Sequence, residues 1–151
     1  MATSFVVLFG TNKIASLDPT TMAVREYPLP NAAARPRRIA ITSDDMVWYS
    51  DFARGYLGRL NPATGEVKEW ASPSGAQSQP YGIVFAKGAI WYNESFAKPN
   101  TIVRFDPKTE KFQSWAIPGG GDIVRKMDVT PDGNPVTANS LTNQVGLVEI
   151  K

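Results

Sequence analysis

The sequence predicts an all-β protein that is built from repeated antiparallel units of four strands. A short phrase, consisting of an apolar residue, Asp or Asn, and then Pro, occurs at residues 17–19, 60–62 and 105–107. An aromatic residue follows nine positions after the middle residue of each phrase, and a proline follows three positions after that aromatic. The phrases are 43 and 45 residues apart. A fixed period of this length indicates one supersecondary unit that buries its apolar faces by stacking on copies of itself.

The composition fits short strands that are separated by turns. The 151 residues include 12 Gly and 12 Pro, and 11% of them are aromatic, which favours strands with turns over helices. Hydrophobic residues at 42% and charged residues at 20% are typical of a soluble globular chain. The net charge of +2 is too small to indicate a nucleic-acid partner.

Two residue types are absent from the sequence. Without cysteine there is no disulfide framework, no thiolate nucleophile and no thiolate metal site. Without histidine the commonest general base and the commonest zinc ligand are also missing. Any catalysis would therefore use carboxylates, lysine, tyrosine or an oxygen-ligated metal.

The first residues of the chain do not have the pattern of a signal peptide. No basic segment precedes the apolar run at residues 5–9, and this run is only five residues long. No stretch approaches the length of a membrane span. We therefore expect a cytoplasmic protein that does not interact with a membrane.

The first strand of each unit is a segment in which apolar residues alternate with other residues, as in a half-buried strand. The three segments are residues 38–42, 82–86 and 126–130. A turn follows each of them, and the Pro-Asp-Gly-Asn turn at residues 131–134 is a strong hairpin signal.

The remaining strands follow in the same order in each unit. We expect second strands at 47–51, 90–94 and 135–139, third strands at 57–60, 102–105 and 145–148, and fourth strands at 66–70 and 111–115. A small or narrow side chain recurs at the second position of each third strand, at Gly58, Val103 and Gly146. We attribute this recurrence to close packing between sheets. No segment has a helical apolar stripe, so we expect essentially no helix.

Four antiparallel strands in about 40 to 45 residues are typical of one blade of a β-propeller. Residues 1–151 then form a single domain with a partial blade at 1–30, full blades at 36–73 and 80–118, and a partial blade at 123–151. The first partial blade supplies strands two to four, at residues 5–8, 13–17 and 23–27. The last partial blade supplies strands one to three, which gives about 3.5 blade repeats and fourteen strands.

An open stack of blades would leave one blade face uncovered at each end. Three arrangements would account for this: a homodimer that closes one ring from two arcs, a single chain that closes as a small four-bladed ring, or a piece of a longer propeller. We favour the homodimer, because closed symmetric assembly is the common way to cover such surfaces.

Several repeated motifs resemble those of the streptogramin (virginiamycin B) lyase family. They include Pro-Tyr-Gly-Ile at 80–83, Trp-Tyr-Ser-Asp at 48–51, Trp-Tyr-Asn-Glu at 91–94 and Thr-Pro-Asp-Gly at 130–133. The resemblance implies a propeller. It also implies a site at one mouth of the central channel, where lyases of the family open a cyclic ester by elimination with a His base, acidic residues and a magnesium ion.

The resemblance also implies which positions of this sequence form the site. The family's His lies at the second position of the Pro-x-Gly-Ile motif, which here is Arg37, Tyr81 or Arg125. The acidic position follows 13 or 14 residues later, at Asp51, Glu94 or Asn139. The spacing of the site is therefore present while the His is missing from every copy.

These six residues have two interpretations. Because the first strand of each blade lines the channel, Arg37, Tyr81 and Arg125 should meet at its mouth, with Asp51, Glu94 and Asn139 nearby. The six residues would then bind a carboxylate, a phosphate or a polar ring-shaped ligand. Alternatively, the arginines pair with Asp51 and Glu94 and only solvate the mouth. If the protein is an enzyme, Tyr81 and Glu94 are the candidate bases.

Three functions remain open on the sequence. The first is a propeller module that binds a polar or anionic ligand and lacks His-dependent elimination, which we favour. The second is a lyase-like or lactonase-like enzyme for a cyclic ester, in which Asp51 and Glu94 share Mg²⁺ or Ca²⁺. The third is a structural or interaction scaffold.

Overall fold

The computed structural model describes residues 3–121 and 123–150 and contains fourteen β-strands in four antiparallel sheets. The first sheet contains β1 (Ser4–Leu8), β2 (Lys13–Leu17) and β3 (Val24–Pro28). The second contains β4 (Pro36–Ile41), β5 (Val47–Asp51), β6 (Tyr56–Leu60) and β7 (Val67–Ala71). The third contains β8 (Pro80–Ala86), β9 (Ala89–Glu94), β10 (Thr101–Asp106) and β11 (Lys111–Ala116), and the fourth contains β12 (Val124–Val129), β13 (Pro135–Asn139) and β14 (Gln144–Leu147).

This arrangement confirms the predicted all-β class and its blade pattern. Each sheet is a meander in which consecutive strands are hydrogen-bonded neighbours. Across the described ranges, helix is limited to a single 3₁₀ turn at Pro118–Gly120. The same part of the chain contains no helix that is long and apolar enough to cross a membrane.

The first strands of the last three units begin earlier than the sequence pattern suggested. We expected these strands to begin at residues 38, 82 and 126, but β4 begins at Pro36, β8 at Pro80 and β12 at Val124. In each of these strands, the hydrogen-bond register with the neighbouring strand shifts near the strand's beginning. The shift breaks the alternation of apolar residues, but the strand continues through it. Residues 37, 81 and 125 therefore lie inside strands.

The core lies between the sheets, which pack face to face in sequence order. Every residue of β5 and β9 is buried, because both faces of these strands are covered by neighbouring sheets. Between the second and third sheets, Trp48 stacks on Trp70 with ring centroids 5.5 Å apart, and Phe105 lies 4.9 Å from Trp70. Similar clusters fill the other two spaces between sheets.

The structure requires a glycine at position 58 for a different reason from the one we expected. Gly58 pairs with Tyr49 on the neighbouring strand, and the Tyr49 ring lies directly over it. The Tyr49 hydroxyl donates a hydrogen bond of 2.8 Å to Glu69. Burial raises the pKa of Tyr49 well above its usual range, and the charge of Glu69 adds to this. The constraint therefore acts between strands of one sheet.

The strands β4, β8 and β12 lie side by side as the innermost strands of their sheets, with β1 next to β4. The first residues of these three strands reach the same end of the stack. This end contains the candidate site.

Candidate functional site at the channel mouth

Each of the three innermost strands has a β-bulge at its candidate site residue. The register shifts between Pro36 and Ile39 in β4, between Pro80 and Ile83 in β8, and between Val124 and Lys126 in β12. A bulge leaves an extra residue unpaired and changes the direction of its side chain. A β-bulge therefore sets the side-chain direction at Arg37, Tyr81 and Arg125.

Side chains from the second strands satisfy backbone groups at two of the bulges. The backbone N–H of Arg38 donates to Ser50 Oγ over 3.2 Å, and Ser50 Oγ donates to the carbonyl of Tyr81 over 2.7 Å. The N–H of Gly82 donates to Asn93 Oδ1 over 2.7 Å. Ser50 therefore also connects the second sheet to the third, and this fixes the spacing between Arg37 and Tyr81.

Arg37 lies within a group of aromatic rings. Its Nη2 donates a hydrogen bond of 2.6 Å to the Tyr81 hydroxyl. Its guanidinium carbon is 4.3 Å from the ring centroid of Phe9, 4.7 Å from that of Tyr81 and 5.8 Å from that of Phe52. Cation–π attraction of this kind holds the guanidinium in place.

No carboxylate neutralises this guanidinium within the described ranges. None of the ion pairs found there includes Arg37, Arg38 or Arg125, and Arg37 Nε is buried without a hydrogen-bond partner. Arg54, in contrast, pairs with both Asp51 and Glu69 over 2.8 Å. The mouth therefore holds cationic groups whose charge is available to an anion.

A cavity of about 180 Å³ opens beside Arg37 and Tyr81. We call it the channel-mouth site and define it by Arg37, Phe52, Tyr81, Phe96 and Arg125. Tyr81 is buried, whereas Arg125 is exposed and the Phe96 ring is 56% exposed. The site thus combines two cationic groups with three aromatic rings.

Asp51 does not contribute to this site. Its carboxylate is buried and accepts hydrogen bonds from the backbone N–H groups of Arg35 (2.9 Å) and Ala53 (3.2 Å), and from Arg54 Nε (2.8 Å). It therefore holds the loop after β5, and its ion-pair partner is Arg54 instead of Arg37.

Glu94 is likewise surrounded by donors of its own. Its Oε1 accepts from Ser72 Oγ (2.6 Å) and from the Ser74 N–H (2.9 Å), and its Oε2 accepts from the Ser74 and Thr101 hydroxyls. Asn139, at the equivalent position of the last sheet, is buried in register with Val124, and its Oδ1 has no hydrogen-bond partner. The structure therefore places Arg37, Tyr81 and Arg125 around one cavity, which Asp51, Glu94 and Asn139 do not line.

The carboxylates at these positions do not fit a divalent-cation site. The oxygens of Asp51 and Glu94 already accept hydrogen bonds from protein donors, and the two groups share no partner. In the ranges that the structure covers, no group of three or more acidic side chains is arranged to hold a metal ion. Oxygen ligands with free lone pairs, which Mg²⁺ and Ca²⁺ require, are not supplied by this pair.

The phenylalanines of the mouth were not predicted. Phe9 and Phe52 each follow the last residue of a strand, β1 and β5, and Phe96 lies two residues after β9. In the repeat, β1, β5 and β9 are equivalent second strands, so the recurrence of Phe after them is a sequence signal for the mouth. The ring centroids of Phe9 and Phe52 are 6.0 Å apart, and those of Phe52 and Tyr81 are 5.8 Å apart.

Solved structures with this fold include lyases. A selenomethionine-substituted virginiamycin B lyase from Staphylococcus aureus has a TM-score of 0.76 and 21% identity, covering 95% of this chain and 50% of that one. A catalytically inactive virginiamycin B lyase from S. aureus with quinupristin has a TM-score of 0.75 and 20% identity, covering 90% of this chain and 48% of that one. The chain thus spans about half the length of these lyases.

The fold alone does not identify a reaction. Hydrazine synthase from Kuenenia stuttgartiensis also has a TM-score of 0.76, with 17% identity over 91% of this chain and 40% of that one. A comparison with curated proteins gave no match. The sequence profile of the virginiamycin B lyase family, however, matches residues 4–151. The chain therefore belongs to the virginiamycin B lyase family.

Proposed function

We propose that the channel-mouth site binds a ligand with an anionic group next to an aromatic or apolar part. The observation that carries this proposal is the Arg37 guanidinium, which is held among aromatic rings and has no carboxylate partner among the described residues. A planar guanidinium with free N–H groups is suited to a carboxylate or a phosphate.

Each part of such a ligand has a counterpart in the site. Arg37 supplies a fixed fork of donors, and Arg125 supplies a second, exposed cation at the rim. Phe52 and Phe96 supply apolar surface beside them. A cavity of about 180 Å³ accommodates one small ring or one side chain of a larger ligand. The ligand class is therefore an aromatic or apolar acid, or a larger molecule that presents such a group.

Binding is proposed without His-dependent elimination. The chain has no histidine, and Glu94 is fully engaged by Ser72, Ser74 and Thr101. Tyr81 receives a hydrogen bond from Arg37 and lies against a permanent cation. The absence of histidine and the engagement of Glu94 favour recognition of a ligand over His-dependent or Glu94-dependent proton abstraction.

Titration calorimetry with three ring compounds of similar size tests the proposal. Benzoate should bind, whereas benzyl alcohol and benzylamine should not, because only benzoate has an anionic group for Arg37. Arg37→Gln should weaken benzoate binding by at least about tenfold. Arg25→Gln, which removes an arginine over Tyr27 on the outer strand β3, is the matched control and should leave binding unchanged.

Two outcomes would contradict the proposal. Equal affinity of benzoate for the wild type and for Arg37→Gln would show that the anion binds elsewhere. Quinupristin, the compound in one solved lyase structure, serves as the larger probe. A ring-opened quinupristin product in mass spectra, lost in Tyr81→Phe, would show that the protein is an enzyme.

A further inference from the structure

Exposed apolar side chains are concentrated at the two ends of the stack of sheets. We call the first sheet (β1–β3) and the last sheet (β12–β14) the end sheets. In the part of the chain that the structure describes, ten large apolar side chains are exposed. Seven of them lie on the end sheets or on their turns: Val6, Phe9, Met22, Val24, Leu141, Val145 and Leu147.

The first sheet has one covered face and one open face. Ile14 and Tyr27 belong to the cluster that packs against the second sheet. Because side chains alternate along a strand, Val6 and Val24 point to the opposite face, where they are 50% and 66% exposed. Lys13 and Glu26 form an ion pair of 2.6 Å on the same open face.

The last sheet is built in the same way. Met127 and Thr137 face the third sheet and are buried. On the opposite face, Val145 and Leu147 are 81% and 61% exposed, beside Ala138 and Val136 on the neighbouring strand. Lys126 and Asp128 lie on this open face along the innermost strand.

We propose that a second copy of this chain covers both open faces. The first sheet of one copy packs on the last sheet of the other at two equivalent junctions around a two-fold axis, and this closes the ring. Each open face has an apolar centre with one cation and one anion. The two faces therefore do not repel each other through net charge. Two copies also have the length of one solved lyase, of which this chain covers 50%.

Closure by two-fold symmetry covers all four open faces in a single particle. It also completes the channel. The strands β4, β8 and β12 of both copies then line one lumen, and two channel-mouth sites open into it.

The solution mass is the direct test. Light scattering and native mass spectrometry of the 151-residue chain should give twice the 16.5 kDa of one copy. Val145→Glu introduces a carboxylate that is solvated in a single copy and buried in the junction. It should give a monomer with an unchanged far-UV spectrum, and Val24→Glu should do the same from the other face. Ile41→Glu, at an exposed apolar position of the second sheet, is the control and should stay dimeric.

A cysteine pair tests which faces meet. The chain has no cysteine, so Val24→Cys and Val145→Cys can be prepared separately, mixed and oxidised. A disulfide-linked heterodimer should form from this mixture and not from Ile41→Cys mixed with Val145→Cys. This experiment remains informative if a glutamate variant fails to fold.

Three results would overturn the two-copy ring. They are a wild-type mass of one chain at high concentration, a ladder of larger open assemblies, and dimers that persist in both glutamate variants. Benzoate titration of a monomeric variant reports on Arg37 independently, so failure of the ring and failure of the anion site are distinguishable.

Discussion

At the scale of single residues, the position of Arg37 explains why its charge is available. Two other half-buried arginines have a carboxylate partner: Arg54 pairs with Asp51 and Glu69, and Arg104 pairs with Asp106. Arg37 is instead held by ring faces and by the Tyr81 hydroxyl. These contacts fix the guanidinium but neutralise none of its charge.

Gly58 supports a prediction at the same scale. A Cβ at this position would lie 2.0 Å from Tyr49 Cζ. Gly58→Ala should therefore displace the Tyr49 ring, break its hydrogen bond to Glu69 and lower the free energy of unfolding by about 3 kcal/mol. Urea denaturation measures this loss. Gly10→Ala, where a Cβ meets nothing within 4 Å, is the matched control, and an equal midpoint for both variants would refute the explanation.

At the scale of elements, aspartates close the turns that follow β2 and β10. Asp18 accepts from the backbone N–H groups of Thr20 and Thr21, and Asp106 accepts from those of Lys108 and Thr109. These backbone hydrogen bonds lower the pKa of both carboxyl groups below the usual 3.8. Asn61 closes the equivalent turn of the second sheet without a charge.

This equivalence predicts a change in the pH dependence of stability. Because the pKa of each aspartate is lowered on folding, its stabilising effect is present above pH 3.8 and is lost as the pH falls through the folded value. Asp18→Asn with Asp106→Asn should keep the turns, as Asn61 does. At neutral pH, the midpoint of urea unfolding of the double variant should be close to that of the wild type. On acidification, the midpoint should fall less in the variant than in the wild type. Parallel acid profiles of variant and wild type would contradict this account.

The elements also show how far the sequence determines the site. The repeat register and the family resemblance together predicted that Arg37, Tyr81 and Arg125 lie near one another, because equivalent residues of stacked units meet at one end. It could not show that Asp51 and Glu94 are engaged by Arg54 and by Ser72, because those partners lie in loops whose course is set by packing. The starts of β4 and β8 were missed because a bulge breaks the apolar alternation without ending the strand.

At the scale of the whole molecule, the open faces of the end sheets dominate the expected behaviour in solution. If the fold is completed by a second copy, stability depends on chain concentration by mass action. The melting temperature should rise by several degrees, about 3–8 °C, over a hundredfold increase in concentration. Scanning fluorimetry on the tryptophans measures it. A constant melting temperature, with Val145→Glu equal to the wild type, would contradict the assembly.

The bulge of the innermost strands has a consequence for evolution and for engineering. Arginine, tyrosine and arginine occupy the same bulge position in three units, while the ladder on either side is retained. The backbone groups at the bulges of β4 and β8 are satisfied by Ser50 and Asn93, so the side chain at the bulge does not carry the strand pairing. We therefore expect such a position to tolerate exchange of one functional group for another. The chemistry of this propeller can therefore be changed one blade at a time, and a histidine introduced at residue 37, 81 or 125 is the most direct way to attempt it.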